Sequence, residues 1–356
     1  MALIWCDSFD YATGTADLLL KGYTINASYN SISNTQSRWS GKNSLRCTNG
    51  AGPYMSPSVL HQTLDFWAGF AWWVDLADPP NALYNSLVHL NLGSSLGKDF
   101  VVKVNESNYL ELWSQVSTGS QLRAISAQGP VDGWNYVEFY YCYVDGSSND
   151  RGVVRLNGVN VIDYTGRLYQ GGGTTTTQIL FFGAYGTTYY FQDFYYLDGN
   201  AGLTGFLGDI RVQALRPDGA GNYSQWTPSA GSNYQNVDDD ATSGIDEDTT
   251  YNESSTTGNK DSFTLADMSG TKKIYGVVLN TVGRKTDATS RGLRDFARLG
   301  STDYLGDKYG VPTDYGLHQT IFENNPADDQ RFEVTDINAM ESGYELVEFT
   351  TTTTTV

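Results

Sequence analysis

Cysteine is scarce: Cys6, Cys47 and Cys142 are the only three in 356 residues, odd in number and widely spaced. That excludes a disulfide framework and any CxxC-type zinc cluster, and Cys142, inside an aromatic run, reads as a small buried hydrophobe. Histidine is equally rare. His61, His89 and His318 form no HxxxH or HExxH pair, and His89, within the alternating run Leu87–Asn91, reads as a solvent-facing strand residue. Basic residues number 22 against 40 acidic ones, and the net charge of −18 repels phosphate backbones, so nucleic acid is excluded as a partner. No stretch approaches 18 consecutive apolar residues, so no membrane insertion is expected. The opening Met1–Asp7 lacks a basic segment and meets an acid early, so no signal peptide is read and synthesis in a cytoplasm without conventional export is expected. Catalytic patterns are missing as well. There is no E-x-D-x-x-E strand and no G-x-S-x-G elbow, and Gly171–Gly173 lacks the lysine of a phosphate loop.

What is present points to β structure. Aromatics reach 13%, with 25 Tyr and 8 Trp, charged residues only 17%, and 38 Gly supply turns. Tyr, Trp, Thr and Val favour pleated, half-buried surfaces. From Leu3 to about Leu215, β-type runs recur with turn clusters every eight to twelve residues or so, which predicts a sandwich. The clearest run, Trp134–Gly146, puts Val137, Phe139, Tyr141 and Tyr143 on one face and Tyr136, Glu138, Tyr140 and Cys142 on the other. Both faces are bulky, so this strand is expected mid-sheet. Asn157-Gly158 between two such runs predicts a type I′ hairpin, and Gly208–Leu215 reads as a last strand before the turn-rich Arg216–Gly219. The expected organisation is all-β, with a sandwich over 1–217 and a smaller β-sandwich domain over 218–356. One short helix is expected there, at Thr335–Gly343, capped by Thr335 and stopped by Gly343. The closing run of Thr reads as a frayed tail unless a neighbouring subunit holds it.

The acidic stretch around Asp238, Asp240 and Asp246 reads as a solvated loop, with an irregular calcium site as the functional alternative and no other cofactor expected. Trp72 and Trp73 are adjacent, so one of them points outward from a strand. Trp72, Trp113, Tyr140, Tyr185 and Tyr189, with Glu138, are the candidates for contacting a glycan or a protein partner, and interface use weighs more than glycan binding. A single groove carboxylate at Glu138 cannot serve as both acid and nucleophile, so Glu138 reads as structural. Glu106 and Glu111 flank Tyr109 and Trp113 as an alternative sugar-stacking edge.

The block Trp134…Val137-Glu138…Asp145-Gly146…Val154-Arg155-Leu156-Asn157-Gly158 resembles the concanavalin A-like, laminin-G-type jelly roll. The short opening Ile4–Asp10 and the closing Phe191–Asp198 fit it too, and that fold places the first and last strands side by side. Phe206–Val212, then Gln225–Pro228 and Asn236–Asp238, look like the joining region of tailed-bacteriophage structural proteins. This second resemblance implies a virion location. It also implies a non-enzymatic structural role as a tail-fibre or tail-tip adhesion component or a capsid decoration protein, binding other virion proteins and host-surface polysaccharide. Such a protein works as a homo-oligomer, a trimer being one form. The alternatives are a soluble carbohydrate-binding lectin and, behind it, a polysaccharide depolymerase.

Overall fold

A computed structural model describes residues 3–48, 54–55, 65–78, 86–91, 100–116, 119–144, 148–168, 178–181, 187–199, 205–240 and 242–349. His61, Gly171–Gly173, Tyr185 and the Thr-rich end from 350 onward lie outside them. The chain divides into two units, Met1–Gln213 and Ala214–Val356, both nearly all β.

The first unit runs β1 (Leu3–Asp7), α1 (Thr15–Leu20), β2 (Tyr23–Thr24), β3 (Asn30–Ser33), β4 (Ser44–Thr48), β5 (Tyr54–Met55), β6 (Asp65–Val74) and β7 (Ser86–Asn91). It continues with β8 (Phe100–Val104), β9 (Leu110–Val116), β10 (Gly119–Ile125), β11 (Gly133–Cys142), β12 (Arg151–Leu156), β13 (Val159–Thr165), β14 (Gln178–Phe181) and β15 (Thr188–Asp198). Two antiparallel sheets result. An eight-stranded sheet has the order β13-β12-β11-β6-β15-β4-β3 with β1 on β15, and a seven-stranded sheet has the order β10-β9-β8-β7-β14-β5-β2. β1 and β15 are neighbours, with Cys6 opposite Tyr195, as the jelly-roll resemblance implied. Asn157 and Gly158 both adopt positive φ, 50° and 82°, which closes the β12–β13 hairpin as their sequence predicts.

Period-two side-chain alternation sorts the aromatics. Val137, Phe139 and Tyr141 of β11 join Phe66, Phe70 and Trp72 of β6 in a core that also takes Phe100 and Leu112 from the other sheet. β11 lies between β6 and β12, a mid-sheet strand as expected. Trp72 shares its parity with Phe66 and Phe70, so it is fully buried and stands edge-on to Tyr189 at 5.3 Å. Trp72 and Tyr189 were expected at the surface; both are core residues, and Trp73 is the member of its pair that faces out. Edge-to-face pairs of this kind are worth about 0.5–1.5 kcal/mol each beyond area burial. His89 is buried too, because β7 is an interior strand flanked by β8 and β14.

The second unit comprises β16 (Pro217–Ser224), β17 (Thr227–Pro228), a 3-10 turn at Asn233–Asn236, β18 (Asn252–Glu253), β19 (Lys260–Leu265), β20 (Val277–Gly283) and β21 (Arg291–Leu299). It ends with β22 (Thr302–Leu305), β23 (Tyr309–Gly310), β24 (Gly316–Phe322), α2 (Val334–Ala339) and β25 (Glu341–Glu348). A six-stranded sheet in the order β16-β19-β25-β21-β22, with β23 on β21, stands beside the β20–β24 and β17–β18 pairs. The helix is shorter than the sequence suggests. Glu333 takes its N-cap position, and Gly343 lies inside β25, where a Cβ would come within 2.4 Å of the Phe296 ring. The glycine seats a cross-strand aromatic and does not stop a helix. At the centre of this unit Asp295 accepts hydrogen bonds from Thr281 (2.8 Å), Thr320 (2.8 Å) and Tyr309 (2.9 Å).

Gly69 of β6 marks the tightest point of the large sheet. A Cβ there would lie 2.5 Å from Tyr195 Cε1 and 3.0 Å from Glu138 Cγ, and both neighbours are buried. Gly69→Ala is expected to destabilise the first unit by about 1–3 kcal/mol, read as a lower calorimetric Tm.

Candidate functional site

The face of the large sheet that points away from the core carries buried charge at its centre. Glu138 is 1% exposed. Its Oε1 accepts the Tyr195 hydroxyl at 2.6 Å and the Gly208 N–H at 2.8 Å, and its Oε2 accepts Arg155 at 3.2 Å. Asp193, held at φ 53° where β15 bulges, accepts Arg38 at 3.0 Å, the Trp39 indole at 2.8 Å and the Val212 N–H at 2.9 Å. Its own carbonyl accepts the Tyr136 hydroxyl at 3.0 Å. Burial raises the Asp193 carboxyl above its usual range against the pull of those donors, and burial pushes the Tyr136 and Tyr195 phenols well up, so both remain protonated donors.

These groups bind residues 205–212 across the sheet. Leu207 N–H donates to Tyr195 at 3.3 Å, Ile210 C=O accepts Arg38 at 3.0 Å, Arg38 also pairs with Asp209, and Arg155 lies over the Phe206 ring at 4.8 Å. Gly208–Leu215 was read as a strand; its described path is irregular until β16 begins at Pro217. The alternation was real, but the backbone groups of this strap are satisfied by sheet side chains and not by a neighbouring strand. Glu138 was expected at an exposed sheet face. The strap buries it, and its lone pairs are engaged by fixed donors, which leaves it a structural anchor.

To one side of this lock the sheet presents a single row of half-buried side chains. Trp134 of β11 stands opposite Trp73 of β6, Trp73 opposite Tyr190 of β15, Tyr190 opposite Arg46 of β4, and Arg46 opposite Ser31 of β3. Residues directly opposite share a face, and five strands at their usual spacing make the row about 19 Å long. Trp73 and Tyr190 meet edge to face, with centroids 5.4 Å apart and planes at 84°. On the other side of the lock Trp67 and Tyr140 stack at 4.5 Å and 23°, near Asp65 and Cys142. Tyr140 is therefore on the outer face as expected, with one ring face already covered by Trp67.

The remaining candidates do not converge on this row. Trp113 belongs to the seven-stranded sheet, where its indole N–H donates to Glu111 at 2.7 Å and Lys103 Nζ lies 4.3 Å from the ring centroid. Asp240 accepts the Thr242 and Ser243 N–H groups at 2.7 and 2.9 Å, which holds its carboxyl below the usual range, and Asp246 binds the Thr250 hydroxyl at 2.8 Å. Asp238 is exposed, and among the described residues no three acidic, His or Cys side chains gather as metal ligands. Asp240 and Asp246 act here as turn-capping groups whose lone pairs face their own backbone and hydroxyls. Of the row residues, Tyr190 can be read from the sequence as a sugar-stacking neighbour of Tyr189, whereas Trp134, Trp73 and Arg46 were not selected. The usable signal was parity, since Phe66, Phe70 and Trp72 mark the inward positions of β6 and leave Trp73 outward.

No family model and no curated protein matches this chain. Solved structures similar to it include an alginate lyase, Aly36B, at TM-score 0.35 and 12% identity over 59% of this chain and 98% of that one. An endo-β-1,4-glucuronan lyase from Trichoderma reesei matches at 0.36 and 10%, over 49% and 94%. The carbohydrate binding module CBM66 from Bacillus subtilis matches at 0.31 and 12%, over 50% and 96%. Likeness at this level carries no argument about ligand or reaction, and none of the three is named as a virion protein.

Removing the anchor tests the strap. Glu138→Ala leaves Tyr195, Gly208 and Arg155 without their shared acceptor and is expected to cost on the order of 3 kcal/mol, at the low end for a buried pair because Arg155 keeps 23% of its side chain exposed. Limited proteolysis should then cut within 205–212, which the parent protein resists.

Proposed function

We propose that this protein is a non-enzymatic binding protein whose first unit grips a glycan along the row Trp134–Trp73–Tyr190–Arg46–Ser31. The observation that carries the reading is the row itself: three aromatic side chains in cross-strand register, partly exposed, followed by a guanidinium and a hydroxyl. Aromatic rings offer flat apolar area at low entropic cost, which suits the C–H faces of sugar rings, while Arg and Ser meet hydroxyls with directional hydrogen bonds. A shallow row on a β face favours weak individual contacts, and copies displayed together would sum them by avidity. The engaged state of Glu138 supports a binding role over a hydrolytic one, since a groove acid needs a free oxygen to exchange protons.

The setting in this proposal is a virion, as an adhesive or decorating component alongside other structural proteins. It rests on the resemblance of Phe206–Val212 and the segments after it, and the strap found there gives those residues a structural reason to be as they are. A soluble lectin would use the same face. Immunogold labelling of intact particles separates the two: gold on the particle supports the virion setting, and unlabelled particles overturn it.

Binding of the full-length chain to an oligosaccharide array, followed by calorimetry on the best ligand, tests the site. Trp73→Ala and Tyr190→Ala are each expected to weaken affinity by roughly tenfold, about 1.4 kcal/mol, with the fold retained and Tm lower by a few degrees through loss of their edge-to-face contact. Trp113→Ala should leave affinity as it was. Retention of no glycan, or dependence on Trp113 instead of Trp73, would overturn the proposal.

A further inference from the structure

We infer that the row selects an anionic sugar, one whose ring carries a carboxylate or a sulfate ester, and that Arg46 is the residue that reads the charge. The inference rests on the row being the glycan face, and it adds the ligand's charge and its orientation. Arg46 sits half-buried on the outer face of β4, since its neighbours Leu45 and Cys47 both point into the core. No hydrogen bond, ion pair or aromatic ring engages its guanidinium among the described residues. That is unusual for this chain, where seven other arginines pair with carboxylates.

The imbalance of 40 acidic against 22 basic residues sharpens the point. Arg123, Arg211, Arg216 and Arg331, which pair with no carboxylate, still engage a hydroxyl, a ring or a backbone carbonyl, whereas Arg46 engages nothing among the described residues. A guanidinium presents a planar fork of donors that matches two oxygens of a carboxylate or sulfate at once. Its Cβ lies about 4.5–5.5 Å from that of Tyr190, as directly opposed residues do, so a sugar stacked on Tyr190 brings a ring substituent within the fork's reach. Ser31, on the next strand, adds a hydroxyl beyond it. The remaining surface is net negative and repels anionic chains, so the favourable site is local, and the acid group is fixed at the β4 end of the row with the uncharged part of the ligand over Trp73 and Trp134.

The test uses the full-length chain and three oligosaccharides of equal length: a neutral hexose oligomer, a hexuronate oligomer and an O-sulfated oligomer. The unmodified protein should bind at least one of the anionic oligomers about tenfold more tightly than the neutral one, and the stronger of the two identifies carboxylate or sulfate. Arg46→Ala should remove that preference, weakening the anionic oligomer about tenfold more than the neutral one, and Arg46→Lys should keep part of it. Because no partner holds the Arg46 guanidinium among the described residues, neither variant should lower Tm beyond the small packing contribution of its half-buried stem. Equal binding of neutral and anionic oligomers by the unmodified protein, or a preference that survives Arg46→Ala, overturns the inference. If Trp73→Ala still weakens binding roughly tenfold in that case, the glycan face stands and only its charge selectivity falls; if neither variant matters, or nothing binds, both fall.

Discussion

A carboxylate enters a protein interior only when its lone pairs are met, and Glu138 is met from three directions, by a phenol, a backbone N–H and a guanidinium. Each donor comes from a different part of the chain: β15, the strap at 208, and β12. Gly69 makes the arrangement possible by leaving no side chain between Glu138 and Tyr195. A few ångströms away Asp193 repeats the device with Arg38, Trp39 and Val212. The aromatic core would close the sandwich without these groups, but it would not determine where residues 205–212 run.

The course of that segment decides what the outer face offers. With the strap and the Ser37–Asn43 loop held over the middle by Gln192 and Asp193, the exposed aromatics are divided into the stacked Trp67–Tyr140 pair and the longer row from Trp134 to Ser31. In the first, each ring covers one face of the other. The second carries, beside its Ser31 end, a cation with no partner among the described residues, which gives it chemical direction as well as area. A face built this way suits recognition of an extended, chemically polar chain better than proton transfer.

The second unit follows a different economy. Its sheet encloses two small apolar clusters, and much of its order comes from buried polar centres, Asp295 among hydroxyl donors and Asp261 receiving the Gln225 and Trp226 N–H groups at 2.7 and 3.0 Å. In its acidic loops Asp240 and Asp246 organise Asx-type turns.

Much of the strand pattern could be read from the residues alone. Alternation along Trp134–Cys142 and the Asn157-Gly158 turn are local matters of side-chain parity and backbone φ, and sequence encodes those directly, whereas the pairing of the first and last strands was implied by the jelly-roll resemblance. The candidate site was less accessible. Choosing Trp72 over Trp73, and ranking Tyr189 ahead of its neighbour Tyr190, missed by one residue each, and in a period-two structure a one-residue error exchanges core for surface. Tertiary structure alone decided that Glu138 is covered, that Gly208–Leu215 is a strap and no strand, that Gly343 seats a ring, and that Trp134, Trp73, Tyr190 and Arg46 stand in one line. The reason is common to all four: each depends on which residue of a distant strand lies opposite, and that register is set by packing among segments separated by tens of residues, not by the properties of any one of them.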